Sequence, residues 1–129
     1  MNQPDYSRAV PSVASYGTWV SPLSASGVAA GGLKFSAVAL DGEDIYWLEG
    51  RPQEGGRYAL VRRGADGAIA DVTPRDANVR SRVHEYGGGA YAVADGVVYY
   101  VNFADQRIYR DGEAVTPEGD WFYADLIVD

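Results

Sequence analysis

The stretch AYAVADGVVYYV, residues 90–101, places an Asp-Gly dipeptide between two short apolar segments. Asp-Gly readily adopts the positive φ angles of a tight turn, and apolar or alternating segments on both sides are typical of paired strands. The stretch therefore predicts a β-hairpin. Three further Asp-Gly dipeptides in comparable surroundings, at 41–42, 66–67 and 111–112, predict three more hairpins.

The four hairpins fall into two sets with the same order of strands. Strand, Asp-Gly, strand, loop, strand, Asp-Gly and strand occur twice, and each set ends in Val-Thr-Pro, at 72–74 and at 115–117. Proline has no N–H to donate to a ladder, so we expect it to end the fourth strand. The loop EGRPQEGG (49–56) of the first set becomes NFADQ (102–106) in the second. Length differences confined to loops are what a structural repeat shows.

Four-stranded antiparallel units that repeat every 40–50 residues or so are typical of β-propeller blades. We therefore predict an all-β chain with blades at 34–75 and 76–117, the second preceded by a glycine-rich lead-in. Residues 118–129 are predicted to start a further blade, and 1–33 to form an extension in which a short helical turn can follow Pro22. Two blades cannot close a ring, so the expectation is a fragment of a longer propeller. The alternative is a complete β-sandwich of eight or nine strands.

Composition excludes several classes of function. The net charge of −7 argues against a nucleic-acid or anionic-membrane surface, because both need a positive field. The chain has no cysteine, which fits a reducing compartment, and its first residues lack the pattern of a secretory signal. We therefore expect a cytoplasmic protein with neither nucleic acid nor membrane as a partner.

The only histidine, His84, lies beside Glu85 in the stretch RVHEYGGGAY, residues 82–91. Successive side chains of a strand point to opposite faces, so these two would point apart and could not pair directly. The sequence contains no Gly-x-Ser-x-Gly elbow around a nucleophile. We therefore predict no catalytic residue, no metal ligand and no cofactor in this chain.

Three consecutive glycines, Gly87, Gly88 and Gly89, precede the first predicted strand of the second blade. Residues without a Cβ permit positive φ and close approach of another backbone, so we predict a structural role for them. The charged residues before them, Arg80, Arg82 and Glu85, have two interpretations. They either form ion pairs and hydrogen bonds between blades or, with His84, form a polar patch for substrate gating or for a domain interface.

Several stretches resemble, in one order, the N-terminal propeller of the prolyl oligopeptidase family of serine peptidases. They are YGTWVSPL (16–23), IYWLEGRPQEGGRYALVRR (45–63), NVRSRVHEYGGGAYAV (78–93) and VNFADQRIYR (101–110). The bacterial acylaminoacyl-peptidase and dipeptidyl-aminopeptidase-like enzymes are the most similar branch. Val20 departs from the pattern, since a proline is expected there.

The resemblance implies a multi-blade propeller joined to an α/β-hydrolase domain that carries a Ser-Asp-His triad. It implies that this chain gates access for short or N-acylated peptides, with the triad outside these 129 residues. The implied partners are the peptide substrate and the hydrolase domain of the same parent chain. Open sheet edges also predict self-association of the fragment.

Two other classes of function stay open at this point. One is a non-catalytic propeller or β-sandwich module that binds a protein or peptide. The other is a metal-dependent propeller enzyme of the lactonase kind, to which this chain offers only Glu85 and Asn102 as ligands. A Gly-x-Ser-x-Gly elbow further along the same reading frame distinguishes the peptidase from both.

Overall fold

A computed structural model of the chain describes residues 13–18, 24, 26–27, 31–84 and 87–129. These described residues form eight strands: β1 (Lys34–Asp41), β2 (Asp44–Arg51), β3 (Arg57–Arg63), β4 (Ile69–Asp71), β5 (Tyr91–Ala94), β6 (Val97–Val101), β7 (Ile108–Arg110) and β8 (Glu113–Ala114). A single 3-10 turn, Pro52–Glu54, lies between β2 and β3. None of the described residues belongs to a helix of the length and apolarity that crossing a bilayer requires. Most of the predicted helical turn after Pro22 lies outside the described residues.

The strands form two antiparallel sheets, with the orders β1-β2-β3-β4 and β5-β6-β7-β8. Each sheet is a meander in which every strand pairs with the next one along the chain. The prediction of an all-β chain built from four-stranded blades is therefore confirmed. We refer to the sheet of β1–β4 as blade one and to the sheet of β5–β8 as blade two.

The four Asp-Gly dipeptides lie at four of the six hairpin junctions in these sheets, but not in the same way. In blade two, Asp95-Gly96 and Asp111-Gly112 are the two loop residues of their hairpins, and all four residues have positive φ. In blade one, Asp41 still pairs with Asp44, and the loop begins at Gly42, whose φ is +58°. The register of β1 shifts at a bulge between Ser36 and Ala39, where the twofold pattern of the sequence no longer predicts the pairing.

The repeated Val-Thr-Pro motif has the same role in both blades. The N–H of Val72 donates to the carbonyl of Leu60, and the Thr73 hydroxyl accepts from the N–H of that same leucine at 3.3 Å. In blade two, Val115 and Thr116 make the same two bonds with Ile108. The threonine thus supplies the acceptor that the main chain no longer offers once the fourth strand ends before proline.

The core lies between the two sheets. Blade one contributes Tyr46, Leu48 and Leu60, and blade two contributes Val98 and Tyr100, all of them buried. The Tyr100 and Tyr109 rings stack with centroids 5.6 Å apart, which adds to the packing within blade two. The opposite face of β1 exposes 62% of Phe35 and 71% of Leu40. Blade one is therefore buried on one side only within the described residues.

Two asparagines join the blades where the chain passes from one to the other. The Asn78 side chain accepts from the N–H of Tyr58 at 2.9 Å, and the Asn102 side chain accepts from the N–H of Asn78 at 3.1 Å. Between these bonds, Val79 is 1% exposed, and its N–H donates to the carbonyl of Tyr58. The segment after β4 is therefore bonded to β3 on one side and to the end of β6 on the other.

Candidate functional site

The candidate site is built on the linker segment, residues 77–90, which joins β4 to β5. The described residues of this segment form one isolated bridge, Val79 with Asn102, and side chains from neighbouring elements hold the rest of their backbone. Gln106 has the largest part in this, because its side-chain amide accepts from the N–H of Arg82 at 2.7 Å and donates to the carbonyls of Phe103 and Arg80 at 3.0 and 3.5 Å. Only 3% of Gln106 is exposed, and its φ is +59°. A buried, fully bonded amide of this kind fixes the backbone that it contacts.

Arg80 and Arg82 lie over one aromatic ring as a result. Alternate residues of an extended segment point the same way, and Gln106 holds this segment against the loop that carries Phe103. The guanidinium carbons of Arg80 and Arg82 lie 5.2 and 4.1 Å from the centroid of the Phe103 ring. Both distances are within the range of cation–π attraction.

Neither guanidinium has an acidic partner in the part of the chain that the structure describes. The ion pairs there involve other arginines, such as Arg51, Arg57 and Arg62. Arg80 and Arg82 instead border a shallow depression of about 310 Å³, together with Ser81, Val83, His84 and Phe103. This depression carries concentrated positive charge on a chain whose net charge is −7.

Ser81 and His84 take different positions in this segment. The Ser81 side chain is buried, and its hydroxyl donates to the carbonyl of Tyr123 at 2.5 Å while accepting from the N–H of Val83 at 3.2 Å. That hydroxyl is therefore engaged in joining the linker segment to the chain after β8. His84 is exposed, and its carbonyl accepts from the N–H of Gly87. Glu85 lies outside the described residues, so the predicted divergence of the His84 and Glu85 side chains stays a prediction.

The three glycines lie where another segment comes close. A Cβ on Gly88 would be 2.7 Å from the Cβ of Ala124, well inside van der Waals contact. Gly89 exchanges two hydrogen bonds with Asp125, one from its N–H to the carboxylate and one from the N–H of Asp125 to its carbonyl. Gly87 has a φ of +88°, which side chains disfavour. The structural role of the glycines stays a prediction, which substitution will test.

A network of ion pairs lies elsewhere, on blade one. Arg51 binds the carboxylates of Glu49 and Asp71 at 2.8 and 2.6 Å, and Arg57 bonds to Glu54 and to the carbonyl of Ala77. The hydrogen bond from Arg51 holds the pKa of Asp71 below its usual range, and the bond from Arg57 lowers the pKa of Glu54. This network contains neither Arg80 nor Arg82, the arginines for which the sequence suggested ion pairs between blades.

Two residues of the site, Phe103 and Gln106, are not predicted by the sequence patterns. Both lie in the stretch NFADQ, which drew attention only as a shortened loop. The weak signal there is a large aromatic residue inside a polar connection of five residues, where solvated side chains are the rule. Asn102 was considered as a metal ligand, but its side-chain carbonyl accepts from the N–H of Asn78.

No protein-family model matches the sequence, and no curated protein matches it significantly. Among solved structures, the chain is similar to puromycin hydrolase, with 34% sequence identity over 92% of this chain and a TM-score of 0.79. It is also similar to a puromycin-hydrolyzing peptidase of Mycobacterium tuberculosis, with 32% identity over 92% of this chain and a TM-score of 0.76. The chain spans only about a fifth of these proteins, 21% of the first and 20% of the second.

These matches cover 92% of the chain. Identity above 30% along nine tenths of the chain accompanies the same fold, so shared ancestry explains both. The repeated strand order and the two meander sheets agree with that assignment. The chain therefore belongs to the prolyl oligopeptidase family, and its two sheets are blades of the N-terminal propeller of that family.

Proposed function

We propose that this chain is the propeller portion of a cytoplasmic serine peptidase and that it gates access to the active site. The Ser-Asp-His triad would lie in an α/β-hydrolase domain beyond these 129 residues, and that domain would be the propeller's partner. The observation that carries the proposal is the similarity to peptidases of about five times this length, at 32–34% identity. The absence of cysteine supports the cytoplasmic location.

We propose short or N-acylated peptides as substrates, as in acylaminoacyl-peptidases and dipeptidyl-aminopeptidases. Both relatives are named for the hydrolysis of puromycin, a small molecule, which supports a preference for small substrates. A propeller has a narrow central channel, which folded proteins cannot pass. Gating by size would then follow from the architecture, with Arg80, Arg82, His84 and Glu85 as candidates at the channel mouth or at the domain interface.

The test begins with the natural polypeptide that contains these residues. Its mass is measured, and a fluorophosphonate probe is used to label an active serine, whose position is then mapped. We expect a chain several times longer than 129 residues, with the labelled serine outside them, and hydrolysis of acyl-peptide amides that stops when the serine is labelled. A natural product without a reactive serine would overturn the proposal and favour a module that only binds peptides or proteins.

A further inference from the structure

We propose that Arg80 and Arg82, held on the ring of Phe103, bind the carboxylate group of a peptide. The proposal rests on the proposed function insofar as it takes a peptide as the ligand. It adds a defined anion site at which that peptide is held.

The positive charges of Arg80 and Arg82 are not neutralised by carboxylates of the described residues. Five described arginines pair with carboxylates of this chain, namely Arg51, Arg57, Arg62, Arg107 and Arg110. Arg80 and Arg82 have no such partner among the described residues, although both are exposed and lie near the same ring. A cation–π contact attracts a cation without neutralising its charge. Two guanidinium groups that border the same depression therefore remain available to an anion.

The backbone that carries the two arginines is held in place by hydrogen bonds. Gln106 is buried and bonds to the N–H of Arg82 and to the carbonyl of Arg80, and Phe103 lies under both side chains. The N–H of Arg80 also donates to the carbonyl of Val101 at 3.1 Å. Binding then needs little ordering of the backbone, which is the usual entropic penalty of a surface site. Arginine is also the side chain best suited to carboxylates, since its planar fork donates two parallel N–H bonds.

The depression beside the two arginines has the size and the lining that a peptide end requires. The depression next to the two arginines has a volume of about 310 Å³, and Val83 and Phe103 form an apolar part of its wall. A space of that size accommodates a chain end or one side chain of a peptide, and it is too small for a folded surface. The carboxylate would come either from the C-terminus of the peptide or from an Asp or Glu side chain within it.

The experiment is isothermal titration calorimetry on the natural full-length protein, treated with fluorophosphonate so that peptides are not cleaved. Acetyl-trialanine is titrated as the free acid and as the C-terminal amide. We expect the acid to bind at least roughly tenfold more tightly, as loss of a charged hydrogen-bond partner implies. Acetyl-Ala-Glu-Ala amide tests which carboxylate is bound. If this peptide binds as tightly as the free acid, a side-chain carboxylate can occupy the site. Equal affinity of acid and amide peptides, or inorganic phosphate binding as tightly as the acid peptide, would overturn the proposal.

Variants locate the site. Arg80→Gln and Arg82→Gln should each weaken binding of the acid peptide roughly tenfold and leave the weak binding of the neutral amide peptide unchanged. Arg110→Gln is the matched control, since its guanidinium also lies near a ring, 5.7 Å from that of Tyr99, and it is also exposed. An equal loss in the control would contradict the assignment. If a variant fails to fold, as judged by its thermal unfolding, the comparison of acid and amide in the unmodified protein decides.

The two proposals fail separately, because calorimetry detects binding and the probe detects a reactive serine. Arg82-dependent binding without a labelled serine would retain the carboxylate site and reject the peptidase. A labelled serine with equal affinities for the acid and amide peptides would do the reverse.

Discussion

The carboxylate of Asp41 accepts a hydrogen bond of 2.6 Å from the backbone N–H of Gly96, a residue 55 positions further along the chain. It also accepts from the N–H of Asp95 at 3.2 Å. Asp95 and Gly96 are the two loop residues of the first hairpin of blade two, and they lie beyond its last pair, Ala94 and Val97, so their N–H groups have no place in that ladder. A side chain at the end of β1 thus completes a turn in the next blade.

Asp41→Ala should lower the free energy of unfolding by about 1 kcal/mol, because two N–H groups lose a charged acceptor at a partly solvated site. Asp41→Asn should lose less stability than Asp41→Ala, since its amide oxygen still accepts a hydrogen bond. Denaturation by urea measures the difference. Asp120→Ala, at an exposed position, is the control and should change little. Equal effects at the two positions would show that the bond across the blades does not contribute.

Gly88→Ala should destabilise the chain by roughly 1–3 kcal/mol, the usual result of forcing a methyl group into filled space. The new Cβ would meet the Cβ of Ala124 at 2.7 Å, so the chain after β8 has to move away. Gly32→Ala is the matched control, because its Cβ would meet no atom within 4 Å and its φ is not positive. The midpoint of thermal unfolding is measured for both variants. Equal midpoints would show that Gly88 is not needed for close packing against Ala124.

Thr73→Val should cost roughly 1–3 kcal/mol, because the N–H of the fully buried Leu60 loses its acceptor. Thr73→Ser keeps the hydroxyl and should restore most of the stability. Thr18→Val removes a hydroxyl that donates to the carbonyl of Ser15 at an exposed site, and it should be nearly neutral. Urea denaturation measures the free energy of unfolding of the three variants. An unchanged value for Thr73→Val would show that the Thr73 hydroxyl does not stabilise the end of the blade.

Tyr91 makes the fold sensitive to alkali. Burial raises the pKa of its phenol to about 12, from an ordinary value of about 10, and the hydroxyl donates to the carbonyl of Ala37 in blade one. The unfolded chain loses this proton first, so the contribution of Tyr91 is complete below pH 10 and is lost as the pH rises through 12. Tyr91→Phe should flatten the decline in stability between pH 10 and 12. Part of the decline should remain, because the pKa values of three other tyrosines are also raised, those of Tyr46, Tyr100 and Tyr109.

The comparison for this prediction is Tyr16→Phe, at a side chain that is fully exposed. Stability against urea is measured at several pH values from 8 to 12 for both variants and the unmodified chain. A slope that is the same in Tyr91→Phe as in the unmodified chain would exclude Tyr91 as the source of the alkaline sensitivity.

Local patterns predicted the strands well, because Asp-Gly turns and Val-Thr-Pro ends are determined by residues close in sequence. The loop after β1 begins at Gly42, one residue later than the Asp-Gly pattern predicts, because Asp41 still pairs with Asp44. The pairing of Arg51 with Asp71 joins residues 20 positions apart, and no periodicity indicates it.

The candidate site was predicted only in part. Its arginines were visible as charges in an unusual stretch, 80–89, next to glycines. Phe103 and Gln106, which position them, come from a loop about 20 residues away, and their role depends on how the two blades pack. Side chains that act through tertiary contact leave at most a weak signal in local sequence, such as an aromatic residue in a polar loop, and two such residues determine this site.

The bonds made by Asn78 and Asn102 have a consequence for motion. The amide hydrogens of Tyr58 and Val79 form bonds between blade one and the linker segment, and those of Asn78 and Phe103 form bonds between the linker segment and blade two. When the sheets part, the linker segment has to leave one of them, so one of these two pairs of bonds breaks. The exchange of these amides with deuterium therefore measures how often the two blades separate, and that frequency is a property of the pair rather than of either sheet.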